Sequence, residues 1–225
     1  MSLFKLINRF VEVYKIETLG ALDGPGIRTV IFLQGCPMRC AYCHNADSWR
    51  LGVGDGEIMS LQSLYDLALR YKPYYKNGGG VTFSGGEALM QAQALMPLVH
   101  ALKKAGIHIT LDTSGSITDK AAMKLIDAVD LVILDIKATE EDFHQSLTGH
   151  SMEKPMHVLN HLKKTEKPYW IRQVVLKGHY DTEAQKRLLD ALTEHPSRER
   201  LEFLPYHNLG MDKWSDWQMK YRKEF

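Results

Sequence analysis

Cys36, Cys40 and Cys43 are the only cysteines of a 225-residue chain, and they fall within eight positions. Thiols gathered that closely are usually gathered around a metal. The spacing Cys-x3-Cys-x2-Cys lets one short loop cap three corners of a cubane iron–sulfur cluster, and most clusters take four protein ligands. With no fourth cysteine, one iron keeps open positions and can bind a small molecule directly. Other readings use the same residues. A Cys3His zinc site would recruit His44, but His44 directly follows Cys43, and neighbouring side chains in a tight loop rarely reach one ion together. Cys40-Ala41-Tyr42-Cys43-His44 also has the Cys-x-x-Cys-His spacing of covalent haem attachment. That leaves Cys36 without a task and needs an export signal. Three buried inert thiols are a further reading, although the Gly35 and Pro37 around Cys36 point to a loop.

A rigid element must deliver such a loop. Thr29-Val30-Ile31-Phe32-Leu33, a β-branched and aromatic run between Gly26 and Gly35, reads as a buried strand ending in it. Val11, Val13 and Ile16 suggest a short lead-in strand, and residues 52–56 a glycine-rich connection. Further strands are expected at 81–83, 107–111, 131–134, 169–176 and 201–204. Helical stripes lie between them. These are Leu61, Leu64, Leu67, Ala68 and Tyr71, capped by Ser60, then Leu95, Leu98, Val99 and Leu102, stopped by Gly106. Next come Ala122, Leu125, Ile126 and Val129, capped by Thr118, then Phe143 with Leu147, and Val158, Leu159 and Leu162. Ala184, Leu188, Leu189 and Leu192 mark the last helix. Strands alternating with helices imply right-handed βαβ units and a parallel sheet. About six units are present, fewer than the eight that close a full barrel. A flat doubly wound sheet is the alternative.

The polar residues fall at or near strand C-terminal ends. The cysteine loop, Ser84-Gly85-Gly86-Glu87, Asp112-Thr113, Asp135-Ile136-Lys137, Arg172 and His207 would share the edge that carries active sites in parallel α/β folds. Singly, each has a plain reading. Gly85-Gly86-Glu87 is a glycine turn with a helix-starting Glu, and Asp112, Thr113 and Asp135 are turn formers. Lys137 and His207 are solvated loop residues, and Arg172 is a core ion pair or a substrate contact.

Composition bounds the rest. Hydrophobic residues are 44% and charged residues 24% of the chain, which suits one soluble α/β domain over 1–225. A net charge of +1 marks no general nucleic-acid or membrane binder. Lys5, Arg9 and Glu12 interrupt the N-terminal apolar residues, so neither a signal peptide nor a membrane span is expected. A cytoplasmic location follows, where thiols stay reduced and an odd cysteine count favours metal.

Asp23-Gly24-Pro25-Gly26-Ile27-Arg28, Phe32-Leu33-Gln34-Gly35-Cys36 and Tyr42-Cys43-His44-Asn45 together resemble the radical S-adenosylmethionine (SAM) family. Within it they are most similar to the activating enzymes of glycyl radical enzymes, from about Ile16 to about Trp214. The resemblance implies a partial, splayed (β/α)6 barrel. It implies a 4Fe–4S cluster on Cys36, Cys40 and Cys43, with SAM chelated at the open iron. SAM would be cleaved reductively to a 5′-deoxyadenosyl radical that takes a hydrogen atom from a glycine of a partner such as pyruvate formate-lyase. Gly85, Gly86 and Glu87 would hold the methionine amino group. Asp112, Thr113, Asp135 and Ile136 would hold SAM, with a monovalent cation nearby. Lys137 would meet the carboxylate, Tyr42, His44 and His207 the nucleoside, and Arg172 the cofactor side of the pocket. About forty residues without a cysteine separate Cys43 from Ser84, which leaves no room for a ferredoxin-like insertion and implies a single cluster. No Gly-x-Gly-x-x-Gly fingerprint is present, so a flavodoxin or ferredoxin would supply the electron to a monomeric enzyme. The related activases continue past Lys213-Trp214 into a further helix, whereas this chain stops at Phe225. The alternative is a radical SAM enzyme acting on a small molecule, as 7-carboxy-7-deazaguanine synthase does.

Overall fold

The computed structural model describes residues 6, 8–50, 56–179 and 181–214. The connection expected at 52–56 lies, except for Gly56, outside them, as does the end of the chain beyond 214. Eight strands form one sheet: β1 (Phe10–Gly20), β2 (Arg28–Leu33), β3 (Glu57–Ser60), β4 (Gly80–Gly85), β5 (His108–Thr113), β6 (Leu131–Asp135), β7 (Tyr169–Val175) and β8 (Arg198–Pro205). The helices between them are α1 (Leu61–Tyr71), α2 (Ala92–Lys104), α3 (Lys120–Ala128), α4 (Glu141–Thr148), α5 (Glu153–Lys164) and α6 (Glu183–Thr193).

The strand order is β3-β1-β2-β4-β5-β6-β7-β8. From β2 to β8 every neighbouring pair is parallel, which gives the six expected parallel strands. Their order never reverses. A doubly wound sheet must reverse midway, because right-handed crossovers reach its second face only that way. A one-directional order keeps the crossover helices on one face and leaves the other to curl inward, as in a barrel. β8 pairs with β7, while β3 ends the opposite edge on β1, so the barrel stays open. The partial barrel therefore holds and the flat doubly wound sheet does not.

Period-two alternation divides the parallel strands between two faces. Ile31, Phe83, Leu111, Val132, Leu134 and Ile171 point into the main core with the inward stripes of α1 to α3 and α5. The opposite face carries Phe32, Ser84, Asp112, Asp135, Arg172 and Glu202 at or near the strand tips, with Asp112 opposite Ile133 and Asp135 two residues further along β6 opposite Arg172. Below it, Leu131, Ile133 and Trp170 form a separate apolar cluster.

Local signals account for most element ends. The Ser60 side chain accepts from the Ser63 backbone N–H at the start of α1. The cap of α3 is Asp119 rather than Thr118, because the Asp119 carboxylate accepts from both Ala121 and Ala122 N–H. In α6 only Leu189 of the expected stripe is buried, and Leu188 remains 51% exposed. β3 has no counterpart in the sequence reading. It is a four-residue, half-exposed edge strand whose side chains show no apolar alternation.

Candidate functional site

The cysteine loop leaves β2 and is fastened on every side. Gly35 N–H donates to Ser48 O and Cys36 N–H to Trp49 O. From α4, Thr148 O accepts from Arg39 N–H and Leu147 O from Ala41 N–H, and beyond the helix His150 Nε2 donates to Pro37 O at 2.9 Å. The β4 turn closes the third side, where Glu87 N–H donates to Gly35 O at 2.7 Å. This contact explains the two glycines. Gly85 has φ +117°, and a Cβ on it would lie 2.2 Å from Leu33 N. A Cβ on Gly86 would lie 2.3 Å from Gly35 O. Both glycines let the turn approach the backbone that carries the cysteine loop.

The expected residues converge. Cys36, Cys40, Tyr42, Cys43, His44, Gly85, Gly86, Asp112, Thr113, Asp135, Lys137 and Arg172 all line one cavity of about 320 Å³ at the C-terminal edge of the sheet. Asp23 lines it too, although its motif gave it no assigned task. Phe32, Met38, Val174 and Leu204 add apolar wall.

Three expected residues do not line it. Glu87 is buried with its carboxylate turned inward. Oε1 accepts from Thr113 Oγ1 at 2.6 Å and Leu89 N–H at 3.1 Å. Oε2 accepts from Ser114 N–H at 3.0 Å, Ser114 Oγ at 2.5 Å and Ser116 Oγ at 3.3 Å. It organises the loop after β5 rather than presenting a free carboxylate. Ile136 is a core residue, and its N–H and C=O pair with Arg172 O and Gln173 Nε2. His207 is exposed and sits at the rim, its ring stacked on His44 with centroids 3.9 Å apart. His44 Nε2 donates to His207 O at 2.5 Å. Burial lowers the His44 pKa.

Electrostatics set the floor of the cavity. Lys137 Nζ is 2.7 Å from Asp135 Oδ2. Burial pulls the Lys137 pKa down, but Asp135, Tyr42 and Cys40 lift it well above its usual value. Arg172 donates through Nε to Glu202 at 3.2 Å and through Nη2 to Leu22 O at 2.8 Å. Its guanidinium lies 3.5 Å from Asp112 and 3.8 Å from Asp23. It makes the ion pairs of one of its two readings and also lies in the cavity wall. Asp112 also accepts from Ser84 Oγ at 2.9 Å. Burial raises the Asp112 pKa to about 7, with Asp135 and Asp23 adding to the rise and Arg172 opposing it. Asp23 is raised by burial as well.

The donor set fits an iron–sulfur cluster. The three thiols are free of disulfides and buried or half-buried. Burial pushes the Cys36 thiol well up, the Cys40 thiol to about 12 and the Cys43 thiol above its usual value. The thiolates therefore need compensating positive charge, which several irons would supply together. A cubane also spreads its thiolates further than one ion does. Among the described residues, no three His, Cys, Asp or Glu side chains close on a single-ion site, and the His44 ring is engaged with His207. The cavity suits SAM by the same reasoning. Its carboxylates match an ammonium group, its two cations a carboxylate, and its apolar wall a nucleoside.

The sequence reading missed the segment after β8. Residues 207–214 cross the cysteine loop so closely that a Cβ on Gly210 would lie 2.3 Å from His44 Cα. Lys213 Nζ donates to Tyr14 OH at 2.7 Å and Asn45 Oδ1 at 3.1 Å, and lies 3.5 Å from Asp47. Trp214 Nε1 donates to Cys43 O at 2.9 Å. No periodicity marks this tail, and only Lys213-Trp214 stands out in it.

Comparison with known proteins agrees with the site. Residues 30–191 match the model of the radical SAM superfamily. The chain is 36% identical over 221 residues to the pyruvate formate-lyase-activating enzyme of Listeria monocytogenes, covering 95% of this chain and 88% of that protein. It is 38% identical over 207 residues to the pyruvate formate-lyase 1-activating enzyme of Escherichia coli, covering 90% and 83%. A solved domain of a pyruvate formate-lyase-activating enzyme from Bacteroides vulgatus superposes with a TM-score of 0.50 at 27% identity, over 58% of this chain and 82% of that one.

Proposed function

The chain belongs to the radical SAM superfamily, in its pyruvate formate-lyase-activating branch, and on that footing we propose which glycine it oxidises and which residues serve. When bound, a 4Fe–4S cluster supplies the electron that splits SAM into methionine and a 5′-deoxyadenosyl radical, and that radical takes a hydrogen atom from a backbone glycine of pyruvate formate-lyase. The observation that carries this reading is the single cavity shared by all three cysteines and the polar strand tips. Cys36, Cys40 and Cys43 would hold three irons. Lys137 would meet the methionine carboxylate, since a buried cation favours a charged oxygen partner. Asp112, Thr113 and Asp135 would face the amino group or a monovalent cation, which would ease the carboxylate crowding that adds to the burial-driven rise of Asp112. Tyr42, His44 and His207 would flank the nucleoside. Glu87 and Ile136 would act behind these residues, through the loops they hold.

The rest of the reading concerns surroundings. One eight-stranded sheet runs through the described residues, which supports one domain, and the chain would act as a monomer. The open side of the barrel would admit a peptide loop. An electron carrier of the flavodoxin or ferredoxin type would reduce the cluster in the cytoplasm. Among the described residues no helix is long and apolar enough to cross a membrane. The curated relatives are named for pyruvate formate-lyase activation, so the small-molecule alternative is not favoured.

The test mixes anaerobically reconstituted protein, a reductant, SAM and pyruvate formate-lyase. A glycyl doublet in EPR and a stoichiometric amount of 5′-deoxyadenosine are expected, and both should vanish when any one cysteine is changed to Ala. Deoxyadenosine formation with no protein radical in pyruvate formate-lyase, but with turnover of a small pterin-like compound, would overturn the choice of substrate.

A further inference from the structure

Trp49 and Trp214 have no part in the reading above, yet they touch the thiols. Both are buried, and with Ala46 they form a small apolar cluster against which Cys36 and Cys43 pack. The rings meet edge-on with centroids 5.0 Å apart. Trp214 donates its indole N–H to the carbonyl oxygen of Cys43, so it fixes the backbone of that ligand. The Cys43 thiol packs against the Trp49 ring; burial pushes its pKa up, while hydrogen bonding from the Asn45 backbone and the Trp49 side chain pulls the other way. Arg39 lies over the Trp49 face, 4.9 Å from the ring centroid. A cation there is drawn to the ring's negative face and polarises the indole.

We propose that Trp49 tunes the cluster through an indole N–H···S hydrogen bond to Cys43, and that Trp214 positions that donor from the segment beyond β8. The potential of an iron–sulfur cluster depends on hydrogen bonds to its sulfurs and on solvent exposure. A donor on a ligating sulfur stabilises the more negative, reduced form, so it raises the potential. The two indoles also cover Cys36 and Cys43, which keeps water from the sulfurs. The proposal rests on the cluster reading, because the tuned sulfur is one of the three ligands. Because Trp214 arrives on the segment tied down by Lys213, a shift of that segment would loosen the Trp49 donor and lower the potential. The reducing carrier would then meet a cluster whose readiness depends on how that segment is seated.

The test uses the full chain reconstituted anaerobically, with iron and sulfide measured first. Dye-mediated potentiometry followed by EPR then gives the midpoint potential without any turnover. W49F keeps the ring and removes the donor. At a fixed potential its cluster should be about tenfold less reduced, a negative shift of about 59 mV for a one-electron couple. W214F should shift the same way by less. W170F, whose ring packs in the separate cluster on β7, should match wild type. A fully loaded W49F with the wild-type midpoint would overturn the proposal. If W49F does not hold iron, wild-type protein carrying ¹⁵N-indole tryptophan decides instead. Its reduced cluster should show a ¹⁵N coupling in ENDOR that persists in W214F, and the absence of that coupling would overturn the proposal equally. A wild-type chain that takes up no iron would refute the cluster reading itself, and the tuning with it.

Discussion

Glu87 distinguishes two accounts of the Gly85-Gly86-Glu87 turn. In one, its carboxylate meets the ammonium group of SAM. In the structure it is the acceptor for five donors of its own chain, split between two oxygens. E87Q keeps the shape and replaces one oxygen by an amide NH2, which cannot accept. One amide orientation sets the NH2 against Leu89 N–H and the Thr113 hydroxyl. The other sets it against Ser114 N–H and two serine hydroxyls. Hydroxyls can rotate, but a backbone N–H cannot, so either orientation leaves one buried N–H facing another donor. Losing a charge-assisted hydrogen bond costs about 1.5–3 kcal/mol, and an unsatisfied buried donor about 1–3 kcal/mol. The two costs overlap, which gives a loss of roughly 2–4 kcal/mol. In a domain of this size each kcal/mol moves Tm by about 2–4 °C, so a fall of roughly 4–16 °C is expected. Urea and thermal unfolding of iron-free E87Q and wild type, both without SAM, measure it. SAM affinity of the loaded proteins, by calorimetric titration, is the second readout. It should fall less than stability does, through loosening of Thr113 and Ser114. Unchanged iron-free stability with a large loss of SAM affinity would refute this account and restore Glu87 as a ligand contact.

Two further predictions concern the cavity floor. K137A should weaken SAM binding by about 1.5–3 kcal/mol, the worth of a charge-assisted contact, with iron content unchanged. Equal affinity by calorimetric titration would leave Lys137 as only the partner of Asp135. Asp112 gives a pH signature. Burial raises its pKa from 3.8 to about 7, so the folded state binds the proton more tightly than the unfolded chain. That contribution is fully present below about pH 4 and is lost as pH rises through 7, with a slope of at most about 1.4 kcal/mol per unit. D112N lacks it. Urea unfolding of both iron-free proteins from pH 4 to 8 should therefore show wild type losing stability relative to D112N, and a constant difference would refute the burial effect.

The parallel strands were legible because most are β-branched or aromatic runs closed by glycine or a charge, and β8 is closed by Pro205. The strand-tip site was legible for the same reason, since fixing where a run ends also fixes which residues sit on the active edge. Asp119 was mistaken for Thr118 because either residue can cap a helix, and only the approach of Ala121 and Ala122 N–H selects between them. The inward contacts of Glu87 were not legible because four of its five donors lie 26 to 29 positions away, and no local pattern links them. Lys213 and Trp214 were passed over because their partners are more distant still, up to 199 positions along the chain.

The Asp23-Gly24-Pro25-Gly26-Ile27-Arg28 run has a structural task alongside its value as a family mark. A sheet wound in one direction and left unclosed exposes its inner face, which something must fill. Arg28 is fully buried; among the described residues it has no carboxylate hydrogen-bond partner, and it donates to Thr82 Oγ1, Pro25 O, Gly78 O and Val81 O. Burial lowers its pKa to about 10. Thr82 in turn donates to Asp23 O at 2.7 Å. At the other end of the run, Arg172 on β7 holds Leu22 O. Two arginines thus pin the loop between β1 and β2 inside the opening, one near the N-terminal ends of the strands and one in the cavity wall. Held at both ends, the loop presents the Asp23 carboxyl to the cavity, and Leu22, 81% exposed, stands just outside it. One segment therefore both presents a carboxyl to the cavity and covers the inner face of the open sheet.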